Sequence, residues 1–279
     1  MPIHDQGYRR YAGGREAKGQ AWLVIARAGI RTLLRKRVFL GVMLVAYLPF
    51  LVRSILIYAS ATFSQVAMLA PTAQTFREFL EQQEIFIFFI TIFAGAGLIA
   101  NDRRANALQI YLSKPLTRIE YVAGKAATLM LFLLAVTWVP ALLLLIVQVL
   151  FAGSFEFVRK NAFLFPAITV YAFIQVLLAT FTMLALSSLS KSARFVGIMY
   201  AGVIFFTDAI FGMLKYVVRA AGASVVSPTQ SLAQIGDVIF RVPPRHDTPV
   251  VLSLLVIIVM IVGSLWILER RIRGVEVVA

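Results

Sequence analysis

Six long apolar stretches dominate the chain, at about 38–59, 85–100, 126–151, 162–189, 195–214 and 250–268, separated by polar segments. At 1.5 Å rise per residue, roughly 20 residues cross the hydrocarbon of a bilayer, so each stretch reads as a transmembrane helix. The second is short, but Thr75 and Glu78 form a T-x-x-E capping pattern ahead of it, with Phe76, Phe79 and Leu80 at helical spacing. That span is therefore expected from about 76 to 100. Thr117 and Glu120 repeat the pattern and start the third span near 118. The expected fold class is all-α: one polytopic transmembrane domain over 1–279, with spans at about 38–59, 76–100, 118–151, 162–189, 195–214 and 250–268. Pro49, Pro140 and Pro166 are expected to kink spans or cap their ends.

Three segments outside the spans carry their own periodicity. Over 15–37, Trp22, Ile25, Ala26, Gly29, Ile30, Leu33 and Leu34 recur every three or four residues, with Arg27, Arg31, Arg35 and Lys36 between them. This is a basic amphipathic helix suited to the membrane interface. In the loop 101–125, Ala105, Leu108, Tyr111 and Leu112 share one helical face, opposite Arg103, Arg104 and Gln109. Ser113-Lys114-Pro115 ends that helix, because proline disfavours helical geometry in the residue before it. Ser227-Pro228-Thr229-Gln230 combines an S-x-x-Q box with proline at the first helical position. A short amphipathic helix at about 228–240 follows, on or dipping into the outer interface, and Pro243-Pro244 stops it.

Composition agrees with this reading: 60% of residues are hydrophobic and 14% charged, with a mean hydropathy of +0.86. The N-terminal 37 residues are polar and basic, and the apolar run after them is too long for a signal-peptide core, so a retained first span is expected. The net charge of +14 is a matter of topology. Lys and Arg number 19 on the side of both termini and 101–125, against 7 on the side of 60–84, 152–161 and 215–249, while Asp and Glu number six on each side. The positive-inside rule then places both termini in the cytoplasm, and anionic headgroups complete the account without nucleic acid.

Catalytic chemistry is not indicated. The chain has no cysteine, its two histidines, His4 and His246, lie far apart, and neither a P-loop nor an H-E-x-x-H occurs. No cofactor is expected in this chain. Two charges fall inside spans: Arg53, fifteen residues into the first, and Asp208, thirteen into the fifth. At about 22 and 20 Å from the cytoplasmic side they have matched depth. Intramembrane charges are costly and usually paired. We therefore expect them to neutralise one another, within a protomer or across a two-fold interface.

The stretch Asp102-Arg103-Arg104, then YLSKPLTR from Tyr111 to Arg118, then Gly124-Lys125, resembles the permease subunits of ATP-binding-cassette exporters of the second export class. The six-span plan, the basic N-terminal helix and VSPTQSL before the last span are similar too; Asp102 stands where glutamate is commoner. The resemblance implies two permease chains, as a homo- or heterodimer, assembled with two ATPase subunits that carry ATP and Mg. A helix at 102–113 would be the coupling helix that docks on the ATPase, using Asp102, Arg103, Arg104, Leu108, Tyr111, Leu112, Ser113 and Lys114. The resemblance also implies a bacterial inner-membrane location and export by alternating access, with Gly95 and Gly97 permitting close helix approach. Few intramembrane charges and abundant Phe, Leu and Val favour an apolar or amphipathic cargo, such as a lipid or drug. An ion-coupled secondary transporter and a non-transporting scaffold are the competing readings.

Overall fold

The computed structural model describes residues 20–63, 71–107, 117–151, 157, 159, 161–219 and 222–272. Among them the chain is all-helical, with six helical segments long and apolar enough to cross a membrane: Arg37–Thr62, Ala73–Arg104, Arg118–Phe151, Leu164–Leu189, Ala193–Val218 and Val250–Arg271. Two further helices, Ala21–Leu34 and Pro228–Ile239, lie at opposite ends of the bundle.

The fourth span is the axis. Its buried residues face every direction, including Ile168, Tyr171, Ala172, Val176, Met183, Leu184 and Ser187, and it contributes to all three apolar clusters. The first, fifth and sixth spans are peripheral. They leave Leu44, Val52, Ile55, Phe205, Phe206, Val251, Ile258 and Val262 exposed, as a lipid-facing surface requires. Ile25, Ile99, Tyr121, Leu268 and Ile272 share one cluster, so both ends of the described chain reach the same end of the bundle. We call it the basic end.

Several spans are broken within the hydrocarbon, and each break has a local cause. The first turns at Ala46–Tyr47 and resumes with Pro49 in its first turn, where a missing N–H costs least. The third breaks at Thr137, with Pro140 in the first turn of the helix that follows. The second breaks at Gln83 and again through a π-turn at Thr91–Gly95. Neighbouring side chains answer these breaks. Gln83 Nε2 donates to the Ala46 carbonyl at 3.2 Å, and the Tyr47 hydroxyl donates to the Ala135 carbonyl at 2.6 Å. Past the π-turn, Ser187 Oγ accepts from the N–H groups of Ile99 and Ala100 at 3.1 and 3.0 Å and donates to the Ala96 carbonyl at 2.8 Å. A serine on the fourth span thus caps a helix of the second.

Several boundaries differ from expectation by a few residues, and one helix differs in its burial. The second span begins at Ala73 rather than 76, because Thr72, with Thr75 as its reciprocal partner, is the N-cap. Thr75 Oγ1 accepts from the Thr72 N–H at 3.1 Å and occupies the position that Glu78 was expected to fill. The helix Pro228–Ile239 starts at the Ser227 cap as the S-x-x-Q box predicts, with Ser227 Oγ accepting from the Gln230 N–H at 3.2 Å. It is buried on nearly all sides against the fourth and sixth spans rather than lying on the surface.

The N-terminal helix runs over Ala21–Leu34 of the expected 15–37; residues 15–19 lie outside the described residues. It buries Ala26 and Leu33 and packs along the third span. Contact is closest at Gly124, where a Cβ would stand 2.7 Å from the Trp22 carbonyl and 2.7 Å from Ile25 Cβ. Gly95 similarly admits Met183 of the fourth span and Leu129 of the third. Gly124→Ala should lower stability by about 1–3 kcal/mol, the usual cost of overpacking, since a backbone carbonyl cannot yield as a side-chain tip can. Gly41→Ala, which meets no atom within 4 Å, should be neutral or stabilising; thermal unfolding of the two purified variants side by side checks this.

Candidate functional site at the basic end

The second span ends with the helix Gly97–Arg104, and Asn106 in the left-handed region (φ 53°) turns the chain away. Asparagine tolerates that geometry better than most residues. Asp102, Arg103 and Arg104 therefore terminate a membrane helix, which corrects the expectation of one helix over 102–113. Leu108, Tyr111, Leu112, Ser113 and Lys114 lie outside the described residues. The chain returns at Thr117, whose side chain accepts from the Glu120 N–H while Glu120 bonds back to the Thr117 N–H at 2.9 Å, as the capping pattern predicts.

The two roots of this loop are bound to each other. Asp102 Oδ2 accepts from the Tyr121 hydroxyl at 2.7 Å and forms an ion pair with Lys125 Nζ at 2.7 Å. Both partners of that pair are largely buried, so the bond is screened less than a surface pair. Arg103 reaches the Ser188 carbonyl at the end of the fourth span. One step deeper, Ser187 caps the second span as described above. Spans two, three and four are thus joined within two helical turns of the loop, and a force applied to it reaches all three together. A cleft of about 670 Å³ lies alongside, lined by Val24, Lys36, Asn101, Asp102, Lys125 and Arg194 among others.

The opposite end carries a charged cluster that the sequence did not reveal. Arg77, 1% exposed, pairs with Asp237 (2% exposed) at 2.6 Å and with Glu81, and donates to the Ala233 carbonyl at 3.0 Å. Arg245 closes the ring, meeting Asp237 Oδ2 at 3.0 Å and Glu81 Oε1 at 2.6 Å. Burial alone would lower the Arg245 pKa, but its bonds to Glu81 and Asp237 outweigh that and raise it. Two cations and two anions tie the second span, the helix Pro228–Ile239 and the segment before the sixth span. The only sequence signal was the Arg77–Glu81 spacing of one helical turn.

Arg53 and Asp208 are held apart. Arg53 donates to the Thr75 carbonyl at 3.0 Å and to Gln82 Oε1 at 3.5 Å, while Asp208 accepts from the Ser227 hydroxyl. Among the described residues no ion pair joins them, so the expected neutralisation does not occur within the protomer. Each charge instead satisfies polar groups at the start of a neighbouring helix.

Six apolar spans, five of them arranged around the fourth, with the loop between the second and third clamped at its roots, define a polytopic integral membrane protein. Residues 23–271 match the ABC-2 family transporter protein family, and the chain belongs to that family. No curated protein matches it in sequence. It is accordingly a membrane permease of an ATP-binding-cassette transporter, a family that implies an ATPase partner.

The charged ring gives a direct stability test. Arg77→Met leaves the buried Asp237 and the half-buried Glu81 short of one cation and should cost about 3–5 kcal/mol, the range for breaking a buried pair. Adding Asp237→Leu should recover part of that loss, because the charges that remain, Glu81 and Arg245, still pair. Chemical unfolding of both variants, with hydrogen exchange over 228–239, checks the non-additivity.

Proposed function

We propose that the chain is the membrane half of an ATP-driven exporter in which two permease chains and two ATPase subunits assemble and alternate between inward-facing and outward-facing states. The observation that carries this reading is the Asp102–Tyr121–Lys125 clamp. It roots the loop 105–117 in two spans at once, and Arg103 and Ser187 extend the connection to the central fourth span. A loop so rooted converts a push from a docked ATPase into concerted movement of three helices. Asp102, Arg103 and Arg104 act as the base of the coupling element. Leu108, Tyr111, Leu112, Ser113 and Lys114 supply its docking face. ATP and Mg reside on the partner subunit.

The orientation that fits is the one with both termini and the loop 105–117 in the cytoplasm, supported by the asymmetry of 19 against 7 Lys and Arg. The location is the inner membrane of a bacterium. A reporter fused after Ala279 should be active only in its cytoplasmic form, and activity of the exported form alone reverses the orientation.

Coupling is tested by reconstituting the chain with a partner ATP-binding-cassette ATPase. Leu108→Asp should reduce transport and stimulated ATP hydrolysis by tenfold or more, while insertion and thermal stability stay unchanged, because an unpaired charge then enters the subunit contact. Full transport in that variant would sink the docking face.

A further inference from the structure

Between the second, fourth and fifth spans lies a cavity of about 280 Å³, bordered also by Pro228, Leu232 and Met260, that opens toward the lipid-facing surface at the exposed Ile85, Phe89 and Phe205. Its walls are apolar and aromatic: Phe88 stacks on Tyr200 at 5.8 Å and meets Phe205 edge-on at 5.3 Å. Into this lining projects one carboxylate, Glu84, eleven residues past Ala73 and so about 16 Å along the second span.

Glu84 is poorly provided for. Its Oε1 accepts from the Tyr171 hydroxyl and Gln175 Nε2, both at 3.4 Å, beyond the usual range for strong hydrogen bonds. Its Oε2 makes no hydrogen bond among the described residues. The nearby Arg77 is already engaged by Asp237 and Glu81, and no cation lies within ion-pair distance of Glu84 among the described residues. Two more polar groups on the wall lack partners: Gln175 Oε1 and Thr182 Oγ1, on side chains 3% and 7% exposed. Gln175 already spends its amide N–H on the Leu80 carbonyl at 3.2 Å and on Glu84, so what it offers the cavity is an acceptor.

A carboxyl group without a cationic partner, an unpartnered amide oxygen, a free hydroxyl and aromatic faces are complementary to one chemistry. We propose that this cavity binds an amphipathic ammonium compound. Its cationic head is held by Glu84, Gln175 and Thr182, and its apolar body lies against Phe88, Ile204 and Phe205. An N–H-bearing cation supplies the donors that the three oxygens lack, and ring faces favour a cation desolvated beside them. The volume stands at the small end of the range for ligand cavities. As a binding site the proposal is independent of coupling; that the amine is exported cargo rests on the exporter reading above.

The test uses the purified full-length chain in lipid nanodiscs without an ATPase. The probe is dansylcadaverine, a primary amine on an apolar fluorophore, with its N-acetylated neutral form as control. Wild type should show saturable fluorescence enhancement displaced by excess unlabelled dodecylamine, with at least tenfold weaker binding of the acetylated form. Glu84→Gln should weaken amine binding by tenfold or more, and Glu84→Asp, which keeps the charge on a shorter arm, should fall between. Ile204→Trp, which fills the cavity and leaves Glu84 in place, should abolish the displaceable signal. Equal affinity for amine and acetylated probe, undiminished binding in Glu84→Gln with wild-type thermal stability, or full binding in Ile204→Trp would each overturn the proposal. Displaceable amine binding by a chain that fails every coupling assay removes the export reading alone. Coupled transport by a chain with no displaceable amine binding removes this site alone.

Discussion

Backbone groups in hydrocarbon have no water to turn to, and this one constraint organises the structure. A membrane helix can bend or break only where another side chain supplies the missing hydrogen bond. Here the first, second and third spans all break, and a side chain from another span stands at each break, including Gln175 Nε2 at the Leu80 carbonyl beside the break at Gln83. Gln83 bonds the Ala46 carbonyl, Tyr47 bonds the Ala135 carbonyl, and Ser187 both accepts and donates around Ala96. The breaks therefore act as fastenings. A span that shifted alone would expose a backbone group at a cost of several kcal/mol, so these bonds fasten spans one to four to one another.

Charge is distributed by the same logic. It gathers at the two ends, where water can share in its solvation, and each end is closed by a different device. Among the described residues the basic end uses one pair, Asp102 with Lys125, whose partners come from either side of one loop. The opposite end uses a ring of Arg77, Glu81, Asp237 and Arg245, drawn from three separate segments. The first device concentrates mechanical linkage beneath the loop, while the second locks the helix Pro228–Ile239 over the far end of the cavity.

What was legible in the sequence follows from which interactions are local. Six spans could be read because hydrophobic length is a property of contiguous residues. The caps at Thr117 and Ser227 could be read because their partners lie three residues away. The start of the second span was misplaced by three residues, because Thr72, Thr75 and Glu78 offer overlapping capping patterns. Only the fold decides that Thr72 caps and Thr75 reciprocates. The charged ring stayed hidden since Arg77 meets Ala233 across a separation of 156 residues. The Arg53–Asp208 expectation failed within the chain for an instructive reason. Depth along the membrane normal is readable from residue counts, but the direction in which a helix faces around the bundle is not. Arg53 faces the second span, Asp208 the Ser227 cap.

That difference also explains why Glu84 escaped notice. By residue count it lies near the edge of an apolar stretch that begins at 85, where an acidic residue reads as an interfacial end. The helix that starts at Ala73 instead places it eleven residues in, three more than the expected start near 76, past Arg77 and Glu81 and on the far side of the break at Gln83. Its neighbours on the fourth span, Tyr171 and Gln175, are one helical turn apart and present a hydroxyl and an amide to it. A carboxylate so placed is expensive in hydrocarbon, and insertion scales put the cost at about 2.5–3.5 kcal/mol for a charged residue at the helix centre. The two long hydrogen bonds offset only part of that. The charged ring, one to two turns away, already balances its own charges and offers no spare cation. Glu84 is thus the point in the bundle at which the chain's internal polar accounting is left open, and it faces a cavity rather than another helix.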